Sequence, residues 1–259
     1  MPDSGHEARL IIHDHAPGPW NMAVDQCLLE SVAMTGDIAI RIYRWNTPTL
    51  SLGYFQNHKD RAHHAASQSC DLIRRASGGG AILHDLEVTY SIAVPVSALK
   101  PKSTHDLYNT AHQATIKVFE NIGISLDLHE SNESSSDQTN SDQTPFLCFQ
   151  RRSSGDLIMK GQKVGGSAQR RLQHAVLQHG SLLMESSMCC PELPGIVNLG
   201  DHGLLANHLA DEWIKKWPEM IARSLGLKLI PCDLTTNERS RSEQIVIERF
   251  GNAKWTEKR

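Results

Sequence analysis

Arg74-Arg75-Ala76-Ser77-Gly78-Gly79-Gly80-Ala81-Ile82-Leu83-His84-Asp85 sets three consecutive glycines between an arginine pair and an apolar run. Glycine lacks a Cβ, so this backbone can take positive φ and let a ligand lie directly against it. The arginines bring fixed, permanently charged forks for carbonyl or phosphate oxygens. Residues 71–75 before the glycines and the apolar residues through position 94 after them read as strands. The stretch reads as a ligand-cradling loop between two strands or, on its glycines alone, as an ordinary tight turn.

Outward from that loop, strands and helices alternate. Asn21 can cap a helix carrying Met22, Leu28, Leu29 and Val32 near one face. Residues 38–45 and 49–54 read as strands split by the Asn46-Thr47-Pro48 turn, and residues 60–67 as a short helix. Ser103-Thr104-His105-Asp106 has the form of a capping box, followed by Leu107, Ala111, Ala114, Val118 and Ile122 at helical spacing and stopped at Gly123. Residues 156–159 and 163–168 form a hairpin about Lys160-Gly161, and residues 175–184 another strand. From about residue 200 the chain reads as helical, with residues 208–225 interrupted at Pro218. The expectation is α/β: one domain over 1–259 with a mixed sheet flanked by helices. Residues 131–144, SNESSSDQTNSDQT, offer no apolar side chain to bury and read as a mobile polar loop.

Composition narrows the function classes. A net charge of −3 argues against a general nucleic-acid binder. No apolar run is long enough to cross a bilayer, and the polar start lacks signal-peptide order, so a cytoplasmic protein without membrane attachment is expected. The 6 cysteines have no regular close spacing and read as reduced thiols, with the vicinal Cys189-Cys190 left as structural. Neither His13-Asp14-His15 nor His63-His64 has metal-ligand spacing, so no metal is expected. Residues 145–175 hold Arg151, Arg152, Lys160, Lys163, Arg170 and Arg171 against Asp156 alone, a local basic face suited to an acidic partner domain.

Three stretches, taken together, resemble the lipoate–protein ligase and octanoyltransferase superfamily: residues 74–91, Gly161 to Gln169 followed by Leu177-Gln178-His179-Gly180-Ser181-Leu182-Leu183, and Asn21-Met22-Ala23-Val24-Asp25. They stand in the family's order. The resemblance implies the fold of biotin ligase and class II synthetase catalytic domains, a largely antiparallel central sheet among helices. Cys148-Phe149 ahead of the Gly161 hairpin is similar to the cysteine-dependent octanoyltransferases of Gram-positive type, whose nucleophile maps onto Cys148.

That chemistry is coherent. A thioester donor exchanges its acyl group onto a thiolate at little thermodynamic cost, and the acyl-enzyme offers an activated carbonyl to an amine. The thiol needs a nearby cation to lower its pKa, and Lys163 is the candidate, also able to stabilise the oxyanion. The resemblance further implies an acyl and carrier-arm site at Arg75, Ser77, Gly78, Gly79, Gly80 and His84. It adds Gly165, Gly166, Ser167, Ala168, His179 and Gly180, with a hydrogen-bonded structural role as the alternative for His84 and an equal one for His179.

The implied reaction moves octanoyl from acyl carrier protein through Cys148 to a lysine of a lipoyl domain of a 2-oxoacid dehydrogenase or of the glycine-cleavage H protein, with no cofactor. An amidotransferase between lipoyl-type domains shares the motifs. An ATP- and Mg²⁺-dependent lipoate ligase is the rival. Gly80 leaves room for it, since the glycine resembles the ligase version of the loop and many cysteine-dependent transferases carry a larger residue there. The stretch before Cys148 is also longer than the family pattern requires.

Overall fold

The computed structural model describes residues 6–99, 103–130, 145–201 and 203–259. The expected polar loop at 131–144 lies outside them. Among the described residues an eight-stranded sheet runs in the order β11-β1-β2-β6-β10-β9-β8-β7. Its strands are β1 (His6–Ala16), β2 (Ile38–Trp45), β6 (Glu87–Pro95), β7 (Asp127–Leu128), β8 (Leu157–Met159), β9 (Gln162–Leu172), β10 (Ala175–Leu183) and β11 (Leu227–Pro231). The pairs β1–β11 and β1–β2 are parallel and the others antiparallel, so the sheet is mixed and largely antiparallel as expected.

Both faces of the central strands are covered, which is why β6 is buried along its whole length. Alternation sorts the side chains. Ile38, Ile40, Ile42, Val88, Tyr90, Ile92 and Val94 point to one core, shared with helices α2 (Thr104–Glu120), α3 (Ile196–Leu199) and α4 (Ala206–Leu225), where Trp213 and Trp217 are fully buried. On the other face the small residues Ala39, Ala93 and Ala175 let helix α1 (Gly18–Thr35) lie close. A second sheet, β4-β3-β5, is made of β3 (Thr49–Leu52), β4 (Asp71–Arg74) and β5 (Ile82–His84). The glycine loop joins β4 to β5 and so belongs to this smaller sheet, which period and turn signals do not separate from the main one.

Several local expectations change. Asn21 is not the helix cap: α1 starts after Pro17, and the buried Asn21 amide donates to the carbonyls of Ala16 and Arg44 at 3.2 and 3.0 Å while its Oδ1 accepts from Arg41. Residues 60–67 form 3-10 turns. Ser103 does cap α2, with Asp106 closing the reciprocal box. Pro218 sits inside an unbroken α4. The C-terminal part is not helical throughout, because β11 returns to the sheet beside β1.

Candidate active site

The glycine loop and the cysteine segment are stitched together. The Ala81 amide donates to the Phe146 carbonyl at 2.9 Å, and the Cys148 amide donates to the Ala81 carbonyl at 2.7 Å. This contact explains Gly80. A Cβ there would lie 2.8 Å from the Cys148 nitrogen and 3.0 Å from its Cα, so only glycine lets the two backbones touch. The glycine read from sequence as a ligase trait is required here by the cysteine segment itself. Neighbouring Gly79 has φ +93 and faces the Cys148 sulfur.

Arg74 and Arg75 are buried, and their forks bind this chain's own carbonyls. Arg74 holds Gly53 and Gln56. Arg75 donates to the carbonyls of Gly78 and Gly80, both at 2.7 Å, and of Ser51 at 2.9 Å. Burial draws the Arg75 pKa down to about 10. The arginines therefore shape the loop from behind.

Hairpin β8–β9 carries Lys163 into the same place. Its Nζ lies 2.7 Å from Asp156 Oδ2 and 4.0 Å from Cys148 Sγ, with the side chain only 4% exposed. Asp156, read from sequence only as a lone acid among basic residues, is the ammonium's countercharge. The carboxylate also accepts from Tyr108 Oη at 2.7 Å and from the Ser153 amide at 2.7 Å. Beside this acid, burial is the main force holding the Tyr108 hydroxyl well above the usual phenol range. Gly166 leaves the room: a Cβ would meet Lys163 Cε at 2.7 Å.

Behind the hairpin, Ser167 Oγ lies 2.6 Å from Tyr90 Oη and 2.7 Å from Nε2 of the buried His112. A Cβ on Gly180 would meet that Ser167 Oγ, which accounts for glycine there. The positions of Ser167 and Gly180 thus reflect packing as well as access.

A cavity of about 480 Å³ opens in front of Cys148, a size usual for small-molecule sites. Met22, Tyr43, Ile82 and Phe149 give it apolar walls, and Cys148, Lys163 and Asp156 lie on its surface. Of the expected site residues, Arg75, Gly78, Gly79 and His84 line it from the small sheet, and Gly166, Ser167, Ala168, His179 and Gly180 from β9 and β10. Gly80, Gly165 and Ser77 do not. Gly80 backs the cysteine, Gly165 packs on Leu157, and Ser77 is turned to His179.

The two histidines expected at the site, His84 and His179, are tied down. His84 lies between Ser51 Oγ at 2.8 Å and Glu87 Oε1 at 2.5 Å and stacks on Trp45. His179 Nε2 lies 2.5 Å from Ser77 Oγ, and its Nδ1 lies 3.6 Å from the buried Asp25. Asp25 further accepts from Arg41, Tyr43 and Ser91, each at 2.8 Å. Burial alone would raise its pKa. The contact with His179 and the Arg41 charge outweigh it and hold the carboxyl below its ordinary value.

Lipoate-protein ligase A bound with ATP shares this architecture at a TM-score of 0.74 and 18% identity, over 97% of this chain and 98% of that one. A bi-partite lipoate protein ligase from Thermoplasma acidophilum matches at 0.73 and 17%, over 97% and 96%. These likenesses define a ligase-like catalytic fold. Residues 17–209 match the lipoyl protein ligase A/B catalytic domain, and the chain belongs to that family. Among relatives, it is similar to octanoyltransferase LipM of Macrococcus caseolyticus, 30% identical over 98% of this chain and 99% of that protein. It is also similar to the LipM of Brevibacillus brevis, 29% identical over 97% and 99%. No helix among the described residues is long and apolar enough to span a membrane.

Proposed function

We propose that this chain is an octanoyltransferase working through a thioester on Cys148. The observation that carries the reading is the Lys163 ammonium 4.0 Å from the Cys148 sulfur at the wall of an apolar cavity. Relatives that match nearly the whole chain carry the same activity in their names.

In the first half-reaction Cys148 gives up its thiol proton, the thiolate attacks the carbonyl of an octanoyl thioester, and the donor's sulfur leaves carrying that proton. The new thioester places its chain against Met22, Ile82 and Phe149. In the second half a lysine amine of a lipoyl-type domain attacks that carbonyl. The Cys148 thiolate departs, and the amine's proton passes to it through the Lys163–Asp156 pair. Lys163 has two tasks in this scheme: stabilising the thiolate and offering a positive charge to the oxyanion. No ATP or metal enters the reaction. Acyl carrier protein is the proposed donor and a lipoyl domain or H protein the acceptor.

Incubating the protein with octanoyl-acyl carrier protein without ATP tests this. The intact mass should rise by one octanoyl group, reversibly with hydroxylamine, and not in Cys148→Ala. Transfer by Cys148→Ala at the wild-type rate, or only with ATP and free acid, would replace the reading with the ligase.

A further inference from the structure

His64, Cys190 and Glu192 come from two irregular stretches far apart in sequence. His64 stands between the 3-10 turns His58–His63 and Ala65–Ser67, and the other two follow β10. Their Nε2, Sγ and carboxylate oxygen atoms all lie within 4.8 Å of one another. His64 Nε2 is 3.9 Å from Cys190 Sγ and 2.7 Å from Glu192 Oε1.

The other ring nitrogen is spoken for. The Ser67 hydroxyl donates to the His64 carbonyl at 3.3 Å, so its oxygen is left to accept from Nδ1–H at 2.8 Å. Nδ1 is thus engaged on the far side, and Nε2 is the nitrogen that faces the sulfur and the carboxylate, with the proton it shares with Glu192 released when a metal binds. A ring held this way from its far side is the usual support of a metal-bound histidine. Ser67 is fully buried and Cys190 is 2% exposed, so the groups are held in place.

We propose that His64 Nε2, Cys190 Sγ and the Glu192 carboxylate bind one zinc ion, with solvent in the fourth position. A thiolate, an imidazole and a carboxylate together suit zinc and not magnesium or calcium. Zinc–ligand lengths near 2.0–2.3 Å set tetrahedral edges of about 3.5 Å. The sulfur–nitrogen pair is already close to that. The nitrogen–oxygen pair must open by under about 1 Å, which the half-exposed Glu192 side chain allows. The site would staple the two irregular stretches together beside the nucleophile, because the His64 ring stacks on Phe146 at 6.3 Å, two residues before Cys148. It is independent of the octanoyl-transfer reading.

Zinc affinity and stoichiometry are measured on the full chain, purified without a metal-affinity tag, by competition with a chromophoric chelator and by elemental mass spectrometry. One zinc per chain is expected for the wild type. Affinity should fall at least tenfold in His64→Ala and Cys190→Ser, and about 10–100-fold in Ser67→Ala through the lost support. Cys148→Ala and Cys232→Ser should keep the ion. Circular dichroism separates lost binding from lost folding, and the half-buried His64 gives a variant that tests the site if Cys190→Ser does not fold. Equal affinity in wild type, His64→Ala and Cys190→Ser overturns the proposal, as does loss of the ion in Cys148→Ala.

Discussion

Asp156 sets what Lys163 can do. A buried ammonium is costly unless paired, and the 2.7 Å contact with Asp156 supplies the pair while leaving Nζ within reach of the Cys148 sulfur. Lys163 was legible from its place in the G-x-K hairpin pattern, but its burial and its partner were not. In sequence, the charges near it look like one basic face. In the fold Lys163 and Asp156 turn inward, while Arg152, Lys160 and Arg171 stay near the surface. Lys163→Ala should therefore do two things. It should lower kcat/KM by about 10²–10³, the effect of losing one oxyanion-type donor. It should also cost about 3 kcal/mol in unfolding free energy, because Asp156 is left buried without its cation. Adding Asp156→Asn should recover part of that stability and none of the rate. Urea melts and single-turnover kinetics on the wild type and the two variants check this. A Lys163→Ala protein of wild-type stability would mean that the pair is not held as described.

At the scale of elements, the join between the glycine loop and the Cys148 turn is what makes the site. The triple glycine announces a special backbone, and sequence reasoning assigns that freedom to a ligand. Gly78 and Gly79 do line the cavity, but Gly80 spends its freedom against the Cys148 backbone, and elsewhere Gly166 gives way to Lys163 and Gly180 to Ser167. Internal close approach and ligand approach ask for the same residue, so a sequence does not separate them. Arg75 lines the cavity yet spends its fork on its own loop, and a buried fork and a free fork look alike in one dimension. Gly80→Ala should cost about 1–3 kcal/mol as an overpacked contact with backbone that has little freedom to move. It should also slow acyl-enzyme formation on Cys148. Formation at the wild-type rate in Gly80→Ala, followed by intact mass, would show that the loop does not set the sulfur's position.

Across the whole molecule, the capped helix α2, the strands β2, β6, β9 and β10, and the mixed sheet were readable because period and turn chemistry are local. Strand β1 and strand β11 were not, since their pairing is made at the sheet's edge between opposite ends of the chain. His112 was passed over as one more residue on α2, and it ties that helix to the hairpin. Its Nδ1–H donates to the Gly155 carbonyl at 2.6 Å, and its Nε2 accepts from Ser167 Oγ at 2.7 Å. Burial holds the ring neutral and draws its pKa from 6.5 down to about 4. The folded value lies below the unfolded one, so on acidification the unfolded chain takes up this proton first. The stability that neutral His112 contributes is thus complete above about pH 6.5 and is lost as pH falls toward about 4, an amount of about 3 kcal/mol. Asp25 and Glu238, whose pKa values are held below 3.8 and 4.5, begin to lose their contributions only as pH falls past those ordinary values, at the foot of that window. Denaturant melts of the wild type and of His112→Gln at pH values of about 7 and 4.5 isolate the effect. The wild type should lose about 2–3 kcal/mol more than the variant between the two conditions. Parallel losses in both proteins would mean that His112 takes up its proton in the folded chain near its ordinary value, and that the contact between α2 and the hairpin does not depend on the neutral ring.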